Sequence, residues 1–84
     1  MLNQKKMLVL SLISNESEGE YVYNMARKLK KTAAIPIQQI YSICEELQKS
    51  GYLKSYNRIV EGRLRKYYLI IDAGERWRLQ HSYD

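Results

Sequence analysis

Arg58, Arg63, Arg65 and Lys66 cluster around Glu61-Gly62, and upstream Gln38, Gln39, Tyr41 and Ser42 fall within one short stretch. Guanidinium groups offer forked donors that match the oxygens of a phosphate. A glutamine amide donates and accepts together, as the major-groove edge of adenine requires. A chain that grips a backbone and reads base edges needs both chemistries. Other chemistries are poorly supplied. A single cysteine, Cys44, excludes an internal disulfide, and with a single histidine, His81, it makes no conventional structural zinc site. The sequence carries no Gly-rich phosphate loop and no Ser/His/Asp constellation, so an enzyme is the least supported class and no catalytic residue, metal or cofactor is assigned.

Size and charge narrow the field. At 84 residues and 45% apolar composition the chain reads as one globular domain with a small core, for which a second subunit is a common support. No apolar run approaches the roughly 18 residues of a membrane span, and no signal-peptide plan opens the chain, so a cytoplasmic protein is expected. The net charge of +5 is unevenly spread. Arg27, Lys28, Lys30 and Lys31 face only Glu20 across residues 20–34, and residues 52–71 are strongly basic, whereas the segments between and beyond them are neutral or acidic. Segregation of this kind suits a polyanion.

The elements that must hold these residues follow from periodicity. A first helix is predicted over about Leu2 to Ser14, where Met7, Leu8, Val9, Leu10, Leu12 and Ile13 spread apolar surface more widely than one core-facing stripe needs. The excess implies either a second buried face against another subunit or full burial within the chain. In a second helix, from about Glu20 to Lys31, Val22, Met25, Ala26 and Leu29 share a face opposite the basic residues. Pro36 suits the first position of a third helix that runs to about Ser50. Its stripe is Ile37, Ile40, Cys44 and Leu47, with Tyr41 and Ile43 beside it; Gln38, Gln39, Ser42, Glu45 and Glu46 point outward. Cys44 reads as an inert core thiol, and Gly51 as the left-handed stop.

Leu53 to Val60 and Arg63 to Ile71 have strand composition, and Glu61-Gly62 makes a two-residue turn between them. That turn pairs Val60 with Arg63, Arg58 with Arg65, Tyr56 with Tyr67 and Lys54 with Leu69 on one face. The other face then holds Leu53, Ile59, Leu64 and Ile70, an apolar set fit to close the core. Directly opposed arginines destabilise a hairpin unless something anionic sits between or over them, and a merely solvated face does not explain why three arginines meet there. Asp72 is expected to cap a last helix from about Ala73 to His81, which carries Trp77 and Leu79.

Helix, helix, helix, hairpin, helix is an α+β, mostly α, plan: a winged helix-turn-helix of three helices, a β-hairpin wing and a short C-terminal helix, with residues 1–84 as one domain. The sequence resembles the PadR family of winged-helix transcription regulators over about Ile35 to Gly74. The likeness rests on Ile40-Tyr41, Leu47, Gly51-Tyr52-Leu53, Glu61-Gly62-Arg63, Arg65-Lys66-Tyr67-Tyr68 and Gly74. It implies that Gln38, Gln39, Tyr41 and Ser42 face the major groove or its flanking phosphates. It implies a wing contact through Arg63, Arg65 and Lys66, beside Arg58 on the same hairpin. Family members are repressors that bind palindromic double-stranded operators as homodimers, through the first helix and a C-terminal helix or helical domain. Carried over, this makes Leu8, Val9, Leu12, Ile13, Trp77 and Leu79 the dimer interface. Some relatives hold flat aromatic ligands beside a tryptophan; for Trp77 plain packing is the favoured role, and nothing in the sequence supports a small-molecule effector.

The chain departs from the family pattern at Pro36 and Ile37, where a hydroxyl or small residue is usual. Ile71 replaces the usual threonine, and the C-terminal segment is short, as in a minimal member. The competing function is a winged helix that binds another protein instead of DNA, for which Glu45-Glu46 is the main argument.

Overall fold

Periodicity becomes structure in the expected order: α1 (Leu2–Ser14), α2 (Val22–Leu29), α3 (Ile37–Lys49), β1 (Leu53–Val60), β2 (Arg63–Ile70) and α4 (Asp72–Gln80). The structure is a computed structural model that describes the backbone of residues 2–81 and the side chains of residues 4–81. The α+β winged-helix plan holds. The core joins Val9, Leu10 and Ile13 of α1 to Val22, Met25 and Leu29 of α2. It also takes in Ile40, Ile43, Cys44 and Leu47 of α3, and Leu53 and Tyr68 at the base of the hairpin.

This corrects one expectation. Val9 and Ile13 are completely covered within a single chain, so they offer no outward dimer face. Their i, i+4 spacing puts both on the inward side of α1, and Leu8 and Leu12 on the neighbouring flank are only partly buried. Internal burial therefore explains part of the broad apolar surface of α1.

Helix α2 starts later than its apolar pattern suggests. Glu20 is drawn out of the helix into a β-bridge, its N–H donating to Tyr68 O at 2.9 Å and its carbonyl accepting from Tyr68 N–H at 2.9 Å. The bridge ties the start of α2 to the base of the hairpin. Helix α3 begins after Pro36 and closes with paired bonds, Gly51 N–H to Gln48 O at 3.0 Å and Tyr52 N–H to Leu47 O at 2.9 Å, as a Schellman motif requires.

The hairpin register is the expected one, Val60 with Arg63, Arg58 with Arg65, Tyr56 with Tyr67 and Lys54 with Leu69. Glu61 at φ 51° and Gly62 at φ 77° make the left-handed pair of a type I′ turn. Of the four apolar residues expected to close the core only Leu53 is buried, with Ile70 partly so; Ile59 and Leu64 are 73% and 69% exposed, and Tyr68 on the same face is buried instead. The helices cover the base of the hairpin, where Tyr67 and Tyr68 are buried, and its tip projects beyond them.

Asp72 is not the cap of α4. Ile71 holds that position without a side-chain bond, and Asp72 stands in the first turn. The helix is seated by Ile71 N–H donating to Tyr52 O at 3.1 Å and by Ser14 Oγ donating to Glu75 Oε2 at 2.8 Å. Trp77 stacks between Tyr52, at 5.5 Å, and His81, at 4.3 Å. His81 ends the helix with Nδ1 2.8 Å from Trp77 O. No helix among the described residues is long and apolar enough to cross a membrane.

Candidate nucleic-acid interface

Helix α3 divides its polar residues between two flanks. Gln38, Ser42 and Glu45 are exposed along one line, i, i+4 and i+7 on the helix. Ser42 Oγ donates back to the main-chain O of Gln38 at 3.0 Å, and the Gln38 side-chain amide has no partner among the described residues. Gln39 and Glu46 turn toward α1, where Lys5 Nζ donates to Gln39 Oε1 and Lys6 Nζ to Glu46 Oε1, each at 3.2 Å. Gln39 and Tyr41 are half-buried, and Tyr41 packs against the core. The two adjacent glutamines thus differ: Gln38 is open to a partner, and Gln39 is held from below.

The wing is also two-sided. Arg58, Arg63 and Arg65 share one face, while Lys66 lies on the other, opposite Asn57 and with its Nζ 5.4 Å from the Tyr68 ring centre. The opposed pair Arg58 and Arg65 is relieved by aromatic faces. Arg58 lies 5.3 Å over the Tyr67 ring, with Glu18 at 3.9 Å, and Arg65 lies 4.5 Å over the Tyr21 ring. Tyr21, Tyr67 and Tyr56 continue the stack at 5.3 and 5.6 Å. Cation–π contact of this kind fixes the guanidinium planes without neutralising them.

Between this face and α2 lies a cleft of about 440 Å³ lined by Tyr21, Tyr23, Asn24, Arg27, Arg63 and Arg65. The α2 side of it escaped the sequence reading. The only signal was the basic balance of residues 20–34, which does not say which cations meet the wing. Behind the cleft, buried Glu20 organises α2: Oε2 accepts from Asn24 Nδ2 and from Lys28 Nζ, both at 2.7 Å, and Oε1 accepts from Tyr21 N–H at 3.1 Å. Asn24 Oδ1 in turn accepts from Arg27 Nη2. The hydrogen bond to Glu20, reinforced by Glu16, holds Lys28 above its ordinary value and keeps its charge engaged locally.

The other assigned residues are placed as follows. Leu8 and Leu12 are half-buried on α1, Trp77 is half-buried within its stack, and Leu79 is 56% exposed. Burial pushes the Cys44 thiol up to about 12, as an unreactive core position should. Among the described residues no group of acidic, histidine and cysteine side chains is arranged to hold a metal ion.

Comparison with known proteins agrees with this architecture. Residues 9–80 match the model of the transcriptional regulator PadR-like family. A Streptococcus mutans protein of solved structure is 32% identical, with a TM-score of 0.85 over 93% of this chain and 72% of its own. A PadR family transcriptional regulator from Eggerthella lenta is 27% identical, with a TM-score of 0.83 over 96% of this chain and 70% of its own. Bacillus subtilis PadR, solved in complex with operator DNA, shares the fold at 18% identity, with a TM-score of 0.82 over 94% of this chain and 47% of its own. No curated protein matches the sequence. The match spans nearly the whole chain: it belongs to the PadR-like family of transcriptional regulators, and that membership sets it apart from enzymes.

Proposed function

We propose that the chain is a sequence-specific, double-stranded-DNA-binding repressor that acts in the cytoplasm as a homodimer on a palindromic operator. The observation that carries this reading is the open line of Gln38 and Ser42 on α3 in a fold whose wing presents Arg58, Arg63 and Arg65 on one face. Gln38 and Ser42 read base edges, Tyr41 and the Lys5-held Gln39 set the helix on the flanking phosphates, and the wing arginines with Lys66 grip the backbone. Glu45 on the same line suits acceptance from a cytosine amino group.

The dimer is built on Leu8 and Leu12 of α1 with Trp77 and Leu79 of α4. These two helices adjoin through the Ser14–Glu75 hydrogen bond, so their partly covered apolar side chains lie on neighbouring elements. Two-fold pairing sets recognition helices about 34 Å apart, one turn of DNA. The alternative, a winged helix that binds protein, draws on the exposed Glu45, which has no cationic partner among the described residues.

Sites selected from random duplexes test the reading. On the selected site Gln38→Ala should lose about 1–3 kcal/mol of affinity while binding to random DNA is spared, and Gln39→Ala should weaken both alike. No enrichment of any site, or equal losses on every sequence for both variants, would remove base reading by α3. Leu12→Asp should sediment as a monomer with weak operator binding, whereas a wild-type monomer at tens of micromolar would remove the homodimer.

A further inference from the structure

We propose that the cleft between α2 and the wing is a built seat for one phosphate of the DNA backbone, held by Arg27 from the body and by Arg63 and Arg65 from the wing. The inference rests on the DNA-binding reading above and adds to it a contact from α2 that the wing alone does not supply.

Charge is the first argument. Three guanidinium groups line the cleft, and none of its lining residues is a carboxylate. The cations just outside it are treated differently: Lys28 is bound by Glu16 and Glu20, and Arg58 is approached by Glu18. Acids therefore stand beside the neighbouring cations and leave the lining of the cleft positive. Among the described residues Arg27 meets only the neutral amide oxygen of Asn24. Arg65 is half-buried, and its Nε is closed off from solvent with no hydrogen-bond partner among the described residues. A buried donor left without an acceptor is costly, so Arg65 stands at the cleft incompletely satisfied by the chain itself.

Preorganisation is the second argument. Arg65 is held over the Tyr21 ring at 4.5 Å, and Tyr21 is packed on Tyr67. Arg27 is held by Asn24, whose amide is oriented by the buried Glu20 carboxylate. Both forks are in place before a ligand arrives, which lowers the cost of binding. Arginine forks match a phosphate bidentately, as a lysine cannot.

The ligand follows from the shape. Tyr23 at the rim is 58% exposed, and Arg27 and Arg63 are exposed as well. Small-molecule sites bury most of their ligand, and this cleft has no such enclosure. It suits a chain that passes across it. A phosphodiester seated there bridges α2 and the wing and sets the angle between them.

Salt-dependent binding of a random-sequence duplex provides the test, with Arg27→Gln compared against Arg76→Gln, which removes the same charge from α4. Arg27 is exposed, so its replacement leaves the core intact. The log–log salt slope should become shallower by about 0.9 per bound chain for Arg27→Gln and stay unchanged for Arg76→Gln. A steep wild-type slope that Arg27→Gln does not alter overturns the seat and leaves DNA binding standing. A wild-type slope near zero overturns both. Competition with adenosine monophosphate separates the two sources of phosphate: the duplex should remain bound at millimolar nucleotide, and displacement at micromolar nucleotide would assign the cleft to a free ligand and overturn the backbone assignment.

Discussion

Gly74→Ala sets two effects of opposite sign against each other at the seat of α4. On helix propensity alone the change is favourable by about 1 kcal/mol. The structure opposes it. A Cβ at residue 74 would fall inside van der Waals distance of the Tyr52 carbonyl oxygen and within 2.9 Å of Ile70 Cγ1. The carbonyl is backbone and cannot swing aside, so α4 must move. Overpacking of this kind costs about 1–3 kcal/mol. The shift also loosens the Ile71–Tyr52 hydrogen bond of 3.1 Å and the Tyr52–Trp77 stack at 5.5 Å, worth about 1 kcal/mol each. Packing wins, and a net loss of about 2–4 kcal/mol is expected. In a domain of this size that lowers Tm by about 10 °C or more. Urea and thermal unfolding at fixed protein concentration measure it. Gly62→Ala is the contrast: nothing lies within 4 Å of its added carbon, and only left-handed strain of about 1–2 kcal/mol is incurred. A Gly74→Ala protein as stable as wild type would refute the packing of α4 against the hairpin base.

Two further perturbations probe the interior. Burial pushes the Cys44 thiol from 9.0 up to about 12 and the Tyr68 phenol from 10.0 up to about 12, so both stay protonated in the folded chain after their unfolded counterparts ionise. Their contribution is intact below pH 9 and is lost as pH rises toward 12, at about 1 kcal/mol per pH unit for each group once its unfolded counterpart ionises; a urea midpoint constant from pH 8 to 11 would contradict this. Glu20→Gln keeps the size of the side chain but removes the charge that Lys28 and Asn24 address at 2.7 Å. It should cost about 1–2 kcal/mol in urea unfolding, and unchanged stability would show that the network holds nothing in place.

What the sequence made legible was local. The α3 stripe of Ile40, Cys44 and Leu47 is a spacing argument, and the hairpin register follows from one turn, because two left-handed residues at Glu61-Gly62 leave a single pairing. The errors arose where a distant segment decides. Glu20 has the composition of a helix start but is claimed by Tyr68, far along the chain. Ile59 and Leu64 alternate like core residues, yet the hairpin outruns the helices that would cover them. Val9 and Ile13 looked like surplus because the sequence does not say how much of α1 its own chain encloses. Among the candidate site residues, the side chains were legible and their grouping was not. Strand alternation already puts Lys66 on the face opposite Arg65, but nothing in the order of residues says that Lys5 takes Gln39 and not Gln38, and the meeting of Arg27 with the wing is purely tertiary.

The proposed electrostatic grip of the wing and recognition helix on duplex DNA underlies every functional expectation above. The most direct measurement is the affinity for a selected duplex as a function of salt. Two chains with two wings should neutralise about 6–10 phosphates and give a log–log slope of roughly −5 to −9. A slope near zero would contradict the account.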